Sequence, residues 1–181
     1  MKIGIVISQI VYKDTGVAKY LQHLVQNLLE LDRENEYVLF FSSMRKRIPH
    51  FAFASRGRQN SNKNVQFKTF RVPTTFLDFL WNKLHIMPIE WLIGNVDVFI
   101  SSDWTKPPTK KAKKATILYD LIVFTNPEET AKKIIEVQKR KLAWVKKESD
   151  TIFCISEATK KDAMNLLGIE EKKLQVLYPG I

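Results

Sequence analysis

The sequence predicts an α/β fold built on a doubly wound, mostly parallel sheet. Short runs rich in β-branched residues alternate with longer amphipathic segments along the 181 residues, which is typical of parallel strands joined by crossover helices. The first run, residues 2–8, is almost continuously apolar, as expected for a strand that is covered on both faces. The alternation therefore predicts helices on both faces of one sheet.

The first βαβ unit is predicted within residues 2–41. Asp14-Thr15-Gly16 opens a helix. Its apolar residues recur at helical spacing, at Val17, Tyr20, Leu21, Leu24, Leu28 and Leu31. Residues 37–41 form the second predicted strand, so the crossover should be right-handed. Residues 44–64 then lose periodicity and carry a proline, a glycine and a polar run, which predicts an irregular basic insertion.

The rest of the chain continues the alternation. The further predicted strands are residues 65–72, 97–101, 115–119, 151–155 and 174–177. Residues 75–94 predict two short helices that break near a proline. Asn126, followed by a proline and two glutamates, predicts the cap of a helix that runs to position 147 or close to it. Ser156 predicts the cap of the last helix, which should end before Gly168.

Composition excludes several classes of protein. Hydrophobic residues make up 45% of the chain, too many for a disordered protein, and the chain is long enough to need no disulfide or metal staples. One cysteine and three histidines exclude a disulfide framework and a Cys/His zinc cluster. No apolar run reaches the roughly 18 residues of a membrane-spanning helix, and the N-terminus does not resemble a signal peptide. We therefore expect a cytoplasmic protein.

Candidate ligand-binding residues follow the predicted strands. The first βα junction contains only Gly16, not the three glycines of the dinucleotide fingerprint, so NAD binding is disfavoured. A simple helix-start glycine is the alternative interpretation. Asp103 and Trp104 follow the carboxyl end of a strand, where open sheets bind ligands, and an indole beside a carboxylate can hold a sugar. The alternative is that Trp104 packs beneath the loop at residues 107–108.

Five groups of segments, in chain order, resemble the N-terminal domain of family 4 retaining glycosyltransferases. They are TGVAKYL (15–21) with LLELD (28–32) and ENEYVLF (34–40), DVFISSDWT (97–105) before Pro107-Pro108, ATILYDL (115–121), CISEATKKD (154–162) and VLYPGI (176–181). The similarity covers most of the chain outside residues 44–94. Each motif alone is weak, but their common order is a strong signal.

The resemblance implies a GT-B enzyme, in which two Rossmann-like domains face each other across a cleft. Residues 1–181 would be the single acceptor-side domain, and the donor-binding C-terminal domain would be absent from this chain. Such an enzyme moves a sugar from a UDP- or GDP-linked donor to a glycan or a polyprenyl-linked acceptor, as in cell-surface polysaccharide biosynthesis. The nucleotide sugar is a co-substrate, and neither a metal nor another cofactor is implied. We expect the isolated domain to be inactive.

The resemblance also implies roles for individual residues. Gly16 would let the first loop approach the donor phosphates, and Asp103 and Trp104 would bind the acceptor. Tyr119 and Asp120 would be the catalytic residues of the cleft. Tyr119 departs from the family, which usually has histidine there; its hydroxyl can make one hydrogen bond but does not titrate near neutral pH. The alternative is that Tyr119 only caps the strand and Asp120 only caps the turn that follows.

The formal charge of +10 is the remaining signal. Residues 45–58 contain no acidic residue and combine one lysine and four arginines with two phenylalanines. This combination favours docking on an anionic membrane, which suits a lipid-linked acceptor. A solvated basic face is an alternative; nucleic acid is not expected, because no recognised nucleic-acid motif is present. The rival function from another class is a non-catalytic basic α/β module that binds anionic membrane or nucleic acid.

Overall fold

The computed structural model describes residues 1–48, 64–102 and 104–179, which contain seven strands. They are β1 (Lys2–Val6), β2 (Glu36–Ser42), β3 (Val65–Phe70), β4 (Val98–Ser101), β5 (Lys113–Leu118), β6 (Thr151–Cys154) and β7 (Leu174–Val176). All neighbouring pairs are parallel, and the spatial order is β3-β2-β1-β4-β5-β6-β7. The predicted doubly wound α/β fold is therefore confirmed.

Helices connect the strands. They are α1 (Gly16–Leu31), α2 (Thr74–Leu77), α3 (Glu90–Ile93), α4 (Ile122–Thr125), α5 (Lys132–Glu148) and α6 (Glu157–Leu167). A π-helical segment, Asp78–Lys83, continues α2, and a 3₁₀ turn, Ser8–Val11, follows β1. The predicted break within residues 75–94 is confirmed. Among the described residues, no helix combines the length and the apolar character needed to cross a bilayer.

The sheet carries apolar layers on both faces. On one face, Leu21 and Val25 of α1 pack in a cluster with Ile5 and Leu39 of the sheet. On the other face, the segments of α2 and α3 pack on β1, β2 and β4, and α5 and α6 pack on β5, β6 and β7. Gly4 permits this close packing, because a Cβ there would lie 2.9 Å from side-chain atoms of α3 and β4.

Three predicted helix ends are confirmed by their local contacts. The Thr15 Oγ1 accepts a hydrogen bond from the Ala18 N–H at 3.2 Å, and the Ser156 Oγ accepts one from the Thr159 N–H at 3.1 Å. Gly168 ends α6 in the left-handed conformation with φ of 60°. These are the contacts that N-cap residues and a C-terminal glycine provide.

The predicted start of α5 is wrong. The Asn126 side chain makes no capping bond, and Pro127–Glu129 forms a separate 3₁₀ turn. Thr130 is extended, and α5 begins only at Lys132. The reason is that Asn126 already ends the unpredicted helix α4, where its N–H donates to the Ile122 carbonyl at 2.8 Å.

Two further predictions concern burial and the insertion. Leu31 is 83% exposed, not buried, because the buried face of α1 is rotated toward Ala18, Leu21 and Val25. Of the predicted irregular insertion, residues 49–63 lie outside the described residues. Residues 43–48 follow β2 without regular structure.

Candidate functional site

A cavity of about 510 Å³ opens at the carboxyl edge of the sheet, beside the point where the strand order reverses between β1 and β4. We call it the cleft cavity. Segments that follow β1, β2, β4 and β5 line it, together with one face of α5 that carries Ile134, Gln138 and Lys141. This edge is where open α/β sheets bind their ligands.

Serine hydroxyl groups join the strand ends at the floor of the cleft cavity. The Ser8 Oγ accepts a hydrogen bond from the Ser42 N–H at 3.1 Å, and the Ser42 Oγ donates to the Val72 carbonyl at 3.0 Å. The Ser102 Oγ donates to the Val6 carbonyl. These hydrogen bonds therefore tie together the ends of β1, β2 and β4 and the segment after β3.

Tyr119 follows β5 directly and lines the cleft cavity. Its half-buried ring packs edge-on against Tyr20 of α1, with ring centroids 5.7 Å apart and planes at 89°. Its carbonyl accepts a hydrogen bond from the Thr159 Oγ1 at 3.2 Å. The Tyr20 hydroxyl donates to the Leu177 carbonyl at 3.0 Å, and burial raises the pKa of Tyr20 to about 12. Tyr119 is thus held between α1 and α6 at the cavity wall.

Asp120 is exposed and also lines the cleft cavity. Its Oδ1 accepts a hydrogen bond from the Ile122 N–H at 3.2 Å, which begins α4. This contact is the turn cap that was the alternative interpretation of Asp120. The Oδ2 has no partner among the described residues, so the carboxylate can cap the turn and still face a ligand.

Trp104 is half-buried and lines the same cavity. The buried side chain of Asn82 holds its loop: the Asn82 Nδ2 donates to the Trp104 carbonyl at 3.0 Å, and the Asn82 Oδ1 accepts from the Lys106 N–H at 2.9 Å. The Asp78 Oδ1 anchors the same amide at 2.8 Å. Sequence reasoning missed Asn82, because its contacts with the Trp104 loop span more than twenty positions of the chain. Asp103 lies outside the described residues.

Gly16 is the first residue of α1 and does not line the cleft cavity, although its neighbour Thr15 does. Apart from its chain neighbours and the backbone of α1, no described residue has an atom within 4 Å of the position that a Cβ would occupy at Gly16. Packing within the described residues therefore does not require glycine there. The structure brings Trp104, Tyr119 and Asp120 to one cavity and leaves Gly16 beside it.

Neither the models of protein families nor the curated proteins contain a match to the chain. The functional inference therefore rests on the residues and on the geometry described above.

Two buried lysines near the site were also missed. Lys141 of α5 is 5% exposed and lines the cleft cavity. Lys106 is fully buried beneath the sheet, where its Nζ donates to the Thr116 Oγ1 at 2.8 Å. Burial lowers the pKa of Lys106 to about 7, although the charge of Glu148 opposes the shift. Lys106 lies in a lysine-rich stretch that predicts a solvated surface, so the sequence contains no signal for its burial.

Proposed function

We propose that this chain is the acceptor-side domain of a retaining glycosyltransferase of the GT-B type. The whole enzyme would move a sugar from a UDP- or GDP-linked donor to a glycan or a polyprenyl-linked acceptor. The observation that supports this most is the common cavity of Trp104, Tyr119 and Asp120. These residues follow two different strands, β4 and β5, and the cavity lies where the strand order reverses.

The lining of the cleft cavity suits a sugar. The indole of Trp104 offers an apolar surface for one face of a sugar ring, and the Asp120 carboxylate can accept hydrogen bonds from its hydroxyl groups. The oxygen of the Tyr119 hydroxyl is shielded from solvent in the structure, and in this proposal it contributes one hydrogen bond once the donor or the acceptor fills the cavity. The Asn82 side chain holds the Trp104 loop and Asp120 bonds its own turn, so both groups are positioned before a ligand binds, which lowers the entropic cost of binding.

The chemistry proposed for this cleft follows from the family resemblance. The bond between the donor sugar and its phosphate breaks, a bond from the acceptor oxygen to the same carbon forms, and the departing phosphate takes the acceptor's proton. No protein base is needed, which is compatible with tyrosine at position 119. The open space around Gly16 leaves room for donor phosphates at the N-terminus of α1, where the helix dipole favours anions.

The proposed setting is the cytoplasmic face of a membrane. Residues 45–58 would hold the protein on anionic lipid, and of these residues the structure describes 45–48. The rival proposal, a non-catalytic basic module, is supported by the same basic residues. The two differ in what the cleft cavity does, because only the glycosyltransferase needs it to bind a glycan.

Ligand-observed NMR on the 181-residue chain tests acceptor binding. Saturation of the protein should transfer to a glycan or a polyprenyl-linked sugar, and Trp104→Ala should abolish the transfer. Trp91→Ala is the matched control, because Trp91 is 65% exposed and does not line the cleft cavity. Binding that survives Trp104→Ala, or that Trp91→Ala removes, contradicts the proposal.

Sugar transfer tests the catalytic half of the proposal. We expect no transfer from UDP- or GDP-linked sugars by the chain alone, and transfer once the donor-binding domain is joined to it after Ile181. Transfer by the isolated chain above a buffer control would contradict the assignment to an acceptor-side domain. Without the donor-binding domain the chain should bind nucleotide sugars weakly. They should therefore barely raise its melting temperature, since stabilisation depends on the ratio of ligand concentration to Kd.

A further inference from the structure

A second cavity, of about 500 Å³, lies at the carboxyl ends of β2 and β3. Its lining carries four basic side chains, those of Arg45, Lys46, Arg47 and Arg71, and every other lining residue is uncharged. We call it the basic cavity. The three arginines are exposed, and none of them forms an ion pair within the described part of the chain. Four like charges thus share one concave surface, and no acidic side chain is among the described residues that line it.

Hydrogen bonds position the two segments that form the basic cavity. The Ser43 N–H donates to the Phe70 carbonyl at 3.2 Å, so the segment after β2 stays beside the end of β3. The Lys46 N–H donates to the Ser43 Oγ at 3.1 Å and shapes the turn that carries Arg45 and Arg47. Arg71 faces the same cavity from the end of β3. The cations therefore converge from two tied segments.

The basic cavity adjoins the cleft cavity. Ser43 lines both. The Lys46 Nζ lies 4.2 Å from the ring centroid of Tyr12 and 3.5 Å from the Val11 carbonyl oxygen, and Val11 and Tyr12 both line the cleft cavity. Lys46 therefore stands at the boundary between the two cavities.

We propose that the basic cavity binds a phosphate or diphosphate group of the acceptor, while the hydroxyl group that receives the sugar lies in the cleft cavity. Guanidinium groups suit this ligand, because their planar donors match phosphate oxygens in pairs. Assigning the phosphate to the acceptor rests on the proposed function; the binding of phosphate does not. The cavity would thus select phosphorylated acceptors over neutral glycans.

Calorimetric titration of the 181-residue chain with inorganic diphosphate tests the site. We expect saturable binding that the double substitution Arg47→Gln, Arg71→Gln weakens at least tenfold. Lys161→Gln with Lys172→Gln is the matched control, because it removes the same charge near β7, at the opposite edge of the sheet. That pair should change the Kd less than twofold. Equal weakening by both pairs, or no binding by the unchanged chain, overturns the site.

Farnesyl diphosphate distinguishes the source of the phosphate. If the natural acceptor is lipid-linked, this short prenyl diphosphate should bind more tightly than inorganic diphosphate, because its chain adds apolar contacts. Equal affinities indicate a water-soluble phosphorylated acceptor. Either result supports the site, provided that the double substitution Arg47→Gln, Arg71→Gln weakens the binding. If a short single-stranded RNA binds the wild-type chain and diphosphate cannot displace it, that result overturns the phosphate site. These titrations involve no sugar transfer, so failure of the enzyme proposal leaves them interpretable.

Discussion

Replacing Lys106 by methionine should abolish most of the change in stability between pH 7 and pH 9. In the fold the pKa of Lys106 is lowered to about 7, mainly by burial; in the unfolded chain it returns to the ordinary 10.5. Glu148 and Asp150 favour the charged amine, and Lys114 and Lys141 oppose it. Between the two pKa values the unfolded chain therefore binds one more proton than the folded chain.

The sign and size of the effect follow from proton linkage. Because the unfolded state holds the extra proton, stability rises with pH, and the penalty for burying Lys106 is greatest below pH 7. One full proton contributes about 1.4 kcal/mol per pH unit. Between pH 7 and pH 9 the free energy of unfolding should therefore rise by about 2 kcal/mol because of this one group.

Methionine is a suitable replacement because it is unbranched, apolar and of similar length. The hydroxyl groups that lose the amine keep other partners: the Thr116 Oγ1 lies 2.9 Å from the Ser101 Oγ and 3.0 Å from the Ser149 Oγ. The substitution should thus raise stability at pH 7 and flatten the pH profile, with no buried hydroxyl left unpaired.

Urea unfolding followed by tryptophan fluorescence at pH 6, 7, 8 and 9 measures the effect. Reductant is needed because Cys154 is a free thiol. Burial raises the pKa of Cys154 to about 11, which lowers the stability of the fold above pH 9. The series therefore stops at pH 9. Lys161→Met, an exposed control, should keep the wild-type profile. Parallel profiles for the wild type and Lys106→Met would refute the reasoning.

Three further substitutions test the site. In the chain joined to its donor-binding domain, Tyr119→Phe should lower kcat/KM threefold to tenfold, because one neutral hydrogen bond contributes about 0.5–1.5 kcal/mol. The melting temperature should not change, since the ring contact with Tyr20 remains. Asn82→Ala should cost about 2–4 kcal/mol in urea unfolding, because it leaves buried partners of the Trp104 loop unpaired. Gly16→Ala should keep or raise stability, by up to about 1 kcal/mol, but weaken donor binding if the phosphates approach there.

Each of these substitutions has a control. Tyr178→Phe should leave kcat/KM unchanged, and unchanged kinetics for Tyr119→Phe would make Tyr119 a packing residue only. Asn95→Ala, at an exposed position, should leave the free energy of unfolding in urea unchanged. An equally small change for Asn82→Ala would disprove that the Asn82 side chain holds the Trp104 loop. Gly168→Ala should destabilise the chain because φ is 60° there; a comparable loss in Gly16→Ala would show that position 16 needs glycine for folding.

Features that depend on neighbouring residues could be predicted from the sequence. The alternation of strands and helices and the caps at Thr15, Ser156 and Gly168 are of this kind, because a cap bonds to groups two to five positions away. The carboxyl edge as the site also follows from the alternation, since parallel strands end at one edge. Trp104, Tyr119 and Asp120 line one cavity because all three follow the carboxyl ends of strands at that edge.

Other features were decided only by the tertiary structure. Asn126 carries every local signal of a helix start, but the preceding helix α4 uses it as an end. Lys106 lies in a lysine-rich stretch that predicts a solvated residue, but Asn82, 24 positions earlier, binds its N–H, and its side chain is buried against Thr116 of β5. The presence of Arg45 and Arg71 in the lining of one cavity likewise depends on the register of β2 beside β3. Contacts between residues distant in the chain determine burial and charge environment, and short-range patterns contain no record of them.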